Sequence, residues 1–87
     1  MKIVASNRRS VAEYEINARR LFCPMPVIRT QDAIADYHSG DLVHVFGTDP
    51  GMKLDIPAWC RINGHQVLDI IDHDNDIEIV IRVGEVE

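Results

Sequence analysis

The residue with most chemistry to offer is Cys23, set in "RRLFCPMPVIRT" (residues 19–30) directly ahead of Pro24, Met25 and Pro26. A proline pair normally marks a chain that is not helical. Here, however, Val27, Ile28, Ile34 and Ala35 recur at helical spacing and predict one apolar helix face. The first N–H groups of a helix have no partner within it, so a proline at the first turn loses nothing. With Cys23 as N-cap, Pro24 is the first helical residue and Pro26 the third, and both rigidify the turn behind the sulfur. The partial positive charge of a helix N-terminus favours a thiolate over a thiol, and Arg19 and Arg20 just upstream add positive charge. A thiolate there is expected to attack sulfane sulfur, and the same field favours a persulfide anion.

Other nucleophilic devices are missing from this neighbourhood. Within ten residues of Cys23 there is neither a histidine nor a CxxC partner. A cysteine–histidine hydrolase site would need a base close in space, and His38 sits at the far end of the expected helix. Thiol-to-thiol sulfur transfer needs little acid–base help. Cys60 is read as packing on a helix face with Ile56 and Trp59, rather than as a second reactive thiol. His65, after Gly64, is read as structural. Cysteine and histidine spacings match no zinc pattern, so neither a metal nor a cofactor is expected.

The elements that must position Cys23 follow from periodicity. "VAEYEIN" (11–17) alternates as a half-buried strand, and residues 24–38 form the first helix, stopped by Gly40. "LVHVF" (42–46) is a more deeply buried second strand. A second helical segment spans 50–63, with Asp49 as N-cap of Pro50. Pro57 lies too deep in that segment for a helix start, so a short first turn and a restart capped by Asp55 are predicted. "NG" (63–64) ends the helix. Strands at 65–72 and 77–83, joined by "HDND", form a terminal hairpin. The order β-α-β-α-β-β implies an α+β fold: a two-layer sandwich with a mixed four-stranded sheet and both helices on one face.

The 87 residues suit a single domain with an ordered core of about 11–84. Net charge is -5. Five of nine basic residues (Lys2, Arg8, Arg9, Arg19, Arg20) lie in the first twenty positions, and seven of fourteen acidic ones lie from Asp69 onward. Such asymmetry orients a protein partner and argues against nucleic acid, which demands a basic face. An RNA-binding domain is further disfavoured by the lack of a GxxG clamp. No apolar run approaches a membrane span and no secretory leader is seen, so a cytoplasmic protein with two free thiols is expected.

With these residues laid out, "CPMP" (23–26), "GD" (40–41), "TDPG" (48–51), "DIPAWC" (55–60) and "GH" (64–65) together resemble the TusA/SirA-type sulfur-carrier proteins. The resemblance runs from about residue 14 to 83. It implies a two-layer α/β sandwich similar to the C-terminal domain of a bacterial translation initiation factor. It also implies a sulfurtransferase whose CPxP cysteine, here Cys23, carries sulfur as a persulfide. The donor would be a protein such as a cysteine desulfurase or a rhodanese. The acceptor would be the next protein of a relay toward tRNA thiolation, cofactor synthesis or sulfur oxidation. A monomer is expected, since one thiol must be shown to several partners. The chain departs from the family pattern at Asn17, where an acid is usual, and at Arg20, where glycine is usual. Arg20 is therefore expected to tune partner choice. The competing reading is a non-catalytic regulatory or interaction module in which Cys23 only caps a helix.

Overall fold

In β1 (Glu13–Ala18), charged Glu13 and Glu15 alternate with Tyr14 and Ile16, so that Ile16 and Ala18 are buried and the acids stay exposed. The computed structural model describes residues 12–84. The expected strand start at Val11, the basic residues Lys2, Arg8 and Arg9, and the acids Glu85 and Glu87 lie outside the described residues. The remaining elements are α1 (Met25–Ile34), β2 (Leu42–Gly47), α2 (Met52–Asn63), β3 (Gln66–Asp72) and β4 (Ile77–Arg82). This is the expected β-α-β-α-β-β order.

The sheet runs β1-β2-β4-β3. β1 and β2 are parallel, Glu13 opposite Leu42 and Ala18 opposite Gly47. β4 is antiparallel to β2, Val43 opposite Ile81, and to β3, Val67 opposite Ile81. The sheet is therefore mixed: the crossover through α1 makes β1 and β2 parallel, and β4 pairs antiparallel on both of its sides. An irregularity between Val67 and Asp69 shifts the β3 register; a bulge of this kind blunts an edge strand. The helices touch each other, α1 packing on β1 and α2 on β3, so both cover one face.

Between the layers lie Ile16, Ala18, Val43, Val45, Ile77, Ile79, Ile81 and Val83 from the sheet, with Ile34, Met52, Ile56 and Cys60 from the helices. Each aliphatic side chain buried this way contributes about 1.5–3 kcal/mol. β4 shows the cleanest pattern, with Ile77, Ile79, Ile81 and the following Val83 all turned inward. The other sheet face carries a polar network. His44 Nδ1 lies 2.7 Å from Glu78 Oε2 and Nε2 lies 3.1 Å from Glu13 Oε1, while His73 Nε2 lies 2.8 Å from Glu78 Oε1.

The helices depart from the sequence reading in three ways. α1 is shorter than 24–38: beyond Ile34 the amides of Asp36 and Tyr37 bond three residues back, to Ala33 and Ile34, which tightens and ends the helix. Its buried stripe is Pro26, Thr30 and Ile34 rather than the stripe containing Ile28 and Ala35, which are exposed. Thr30 tolerates this site because its hydroxyl donates to the Pro26 carbonyl at 2.8 Å. α2 does not restart at Asp55 but continues through Pro57. An interior proline costs about 3 kcal/mol, and full burial of Met52, Ile56 and Cys60 on the same helix offsets that loss. Only one stop is as expected: Gly64 at φ 84° caps α2 in the left-handed region, whereas α1 has already ended at Ala35 and Gly40, at φ 94°, lies in the turn before β2.

Candidate functional site

The loop between β1 and α1 holds Cys23 at the surface. It begins with a turn in which the Leu21 amide donates to the Ala18 carbonyl, and Leu21 packs against the core. Arg20, in that turn, has φ 66°. A side chain in the left-handed region costs about 1–2 kcal/mol, which is why a glycine suits this position and why Arg20 is a departure with a physical cost. The Thr48 hydroxyl holds the turn by accepting the Arg20 amide at 2.9 Å. The Cys23–Pro24 peptide bond is cis.

Pro24, and not Cys23, is the N-cap of α1, so the cysteine stands one residue outside the helix. Pro26 occupies the second helical position, where it fits. The amides of the first turn are already used or missing. Met25 N–H donates to the Phe22 carbonyl at 2.8 Å, Val27 and Ile28 N–H both donate to the Pro24 carbonyl at 3.1 Å, and Pro24 and Pro26 have none. The prolines that make the helix start legal thus remove donors that would stabilise an anion.

The sulfur meets a carboxylate instead. Cys23 Sγ–H donates to Asp55 Oδ2 at 2.7 Å, and the Cys23 amide donates to Asp49 Oδ2 at 3.0 Å. The thiol is therefore pushed up from its ordinary value, first by the bond to Asp55, then by desolvation and by the charges of Asp55 and Asp49. This corrects the expectation of a thiolate resting at a helix mouth. Neither Arg19 nor Arg20 is among the charges that act on the thiol. Arg19 turns away to Asp76, Nε to Oδ2 at 2.6 Å, with its guanidinium 4.8 Å from the Phe46 ring centroid. Arg29 donates to the Asn17 carbonyl at 3.0 Å.

Both carboxylates were expected to be helix caps. The N-cap of α2 is Gly51 rather than Asp49, whose second oxygen accepts the Gly51 amide at 3.1 Å. Asp55 lies in the first turn of the continuous helix. Reading each acid against its own helix hid its contact with Cys23, because the partners lie 26 and 32 residues away. The usable signal was the recurrence of acids in both "TDPG" and "DIPAWC".

The other chemistry-bearing residues sit apart from this site. Cys60 is 1% exposed on the core face of α2, and burial pushes its thiol up to about 11. His65 is buried, stacks on Trp59 with ring centroids 5.1 Å apart, and accepts the Gly84 amide on Nδ1 at 3.0 Å. Burial lowers its pKa, which suits a neutral acceptor. Among the described residues no cluster of three or more histidines, cysteines or acids could hold a metal. Nor is any described helix long and apolar enough to cross a membrane.

Comparison with known proteins converges on one family. The family described as "Sulfurtransferase TusA" matches residues 14–83. The chain is 39% identical over 54 residues to the sulfur carrier protein TusA of Pseudomonas syringae, covering 62% of this chain and 64% of that one. It is 27% identical over 70 residues to the TusA of Allochromatium vinosum, covering 80% and 92%. The crystal structure of a SirA-like protein from Desulfitobacterium hafniense superposes with a TM-score of 0.73 at 28% identity, covering 83% of this chain and 99% of that one. Fold, motif and matched span agree: this chain belongs to the TusA family of sulfur carriers.

Proposed function

We propose that Cys23 carries sulfane sulfur as a persulfide, making the protein a sulfurtransferase that works between a donor and an acceptor protein. The observation that carries this reading is the exposed Cys23 thiol of the CPMP motif, set immediately ahead of α1 within the span shared with the family. The donor is a cysteine desulfurase or a rhodanese. The acceptor is the next member of a cytoplasmic relay serving tRNA thiolation, cofactor synthesis or sulfur oxidation. Phe22 and Met25 beside the cysteine are exposed, and they give a monomeric carrier apolar contacts for successive partners. Pro24 and Pro26 stiffen the support behind the sulfur.

Transfer follows the rules of thiol exchange: Cys23 attacks the outer sulfur of a donor persulfide, and later an acceptor attacks the outer sulfur of Cys23–S–SH. Intact-mass measurement after incubation with a persulfide-generating donor tests it. The wild type gains the mass of one or more sulfur atoms, and Cys23→Ser gains none. A Cys23→Ser protein that still supports its pathway would favour the regulatory module, since serine caps or turns as well as cysteine does.

A further inference from the structure

A carboxylate held against a nucleophilic sulfur has to be explained, because it penalises the reactive anion. The contact is specific. Asp55 reaches across from α2 to the S–H itself at 2.7 Å, while Asp49, from the preceding loop, fixes the cysteine backbone at 3.0 Å. Three neighbouring cations are spent elsewhere, Arg19 on Asp76, Arg29 on the Asn17 carbonyl and Lys53 on Asp72 at 2.7 Å, and Arg20 is not among the charges acting on the sulfur. The groups whose charge bears on the sulfur are Asp55 and Asp49. A carboxylate positioned on the thiol hydrogen is also positioned to receive it, and geometry is the first requirement of a general base.

We infer that Asp55 is a catalytic residue, the proton acceptor for Cys23 in sulfur uptake and the proton donor to it in delivery. This rests on the persulfide role proposed for Cys23. In uptake the Cys23 S–H bond breaks and its proton passes to the Asp55 carboxylate while Sγ forms a bond to the outer sulfur of the donor persulfide. The donor S–S bond breaks with its electron pair going to the donor's inner sulfur, and that thiolate takes the proton from Asp55. One thiol and one persulfide give one persulfide and one thiol, with no external oxidant or reductant. Delivery is the same step read backwards, with the acceptor thiol in the donor's place. The resting thiol stays neutral, and the proton leaves only when an electrophilic sulfur is in line.

The test compares wild type, Asp55→Asn and Asp55→Glu with a low-molecular-weight alkyl persulfide as donor. Uptake rate is followed by intact mass, and thiolate fraction by ultraviolet titration. Expressing each variant's rate relative to wild type at the same pH cancels the donor's own titration. Asp55→Asn is expected to raise the thiolate fraction several-fold near neutrality and yet to slow uptake about a hundredfold at about pH 6. Its rate relative to wild type should climb about tenfold per pH unit below the thiol pKa, because only pre-formed thiolate then reacts. Asp55→Glu, which keeps the carboxylate, should stay within about tenfold of wild type. Uptake in Asp55→Asn that equals or exceeds wild type at about pH 6 overturns the role and leaves Asp55 a brake on a working carrier. A wild type that takes up no sulfur overturns the carrier reading itself, and Asp55's role with it.

Discussion

The two cysteines occupy opposite extremes of the same small molecule. Cys60 sits on a well-formed helix, covered by the sheet, its thiol raised to about 11 by burial alone. Cys23 sits in an irregular loop and is raised chiefly by a hydrogen bond to a carboxylate. Both thiols are neutral at rest, for different reasons and with different reversibility. Desolvation at Cys60 can be lifted only by opening the core, whereas the bond at Cys23 can be broken by an approaching partner. What separates the two thiols is access rather than resting acidity.

The widest gap should appear in alkylation of the native protein. Iodoacetamide is expected to label Cys23 fully while Cys60 stays unlabelled until denaturant is added, and to label Cys23 more slowly at neutral pH than it labels free cysteine. Peptide mapping of the adducts reads both. Equal labelling of the two sites would erase the distinction drawn above. A smaller effect is expected in stability. Cys60→Ser places a hydroxyl in the apolar layer and should cost about 1–3 kcal/mol in urea unfolding while leaving sulfur uptake intact. Smaller still is the relief of backbone strain in the reactive loop. Arg20→Gly should gain about 1 kcal/mol, seen as a rise of about 4–8 °C in melting temperature. If the same substitution left transfer to every acceptor unchanged, Arg20 would have no part in partner choice.

The contrast also marks where sequence reasoning succeeded. Strand alternation placed Ile16, Ile77, Ile79, Ile81 and Val83 on the buried face, and Gly64 stopped its helix, because these are local rules of period and torsion. The environment of Cys60 was legible for the same reason, since a helical turn separates it from Ile56. The environment of Cys23 was not. Its electrostatics come from Asp49 and Asp55, which are brought to it only when α2 packs beside α1. The local rule itself misled at this point. A helix N-terminus attracts anions through free amides, but the neighbouring Phe22 and Pro24 carbonyls had consumed those of Met25, Val27 and Ile28. Pro57 failed in the opposite direction, a local prohibition overridden by the packing of the residues around it.

That the Cys23 thiol stands in the open has one more implication, for timing. In the proposed role, cargo attached there would be within reach of any small thiol or oxidant that diffuses past, which suits a courier better than a depot. Its usefulness would then be set by how soon the next docking event arrives, and its abundance relative to its clients should matter more than how tightly it binds them.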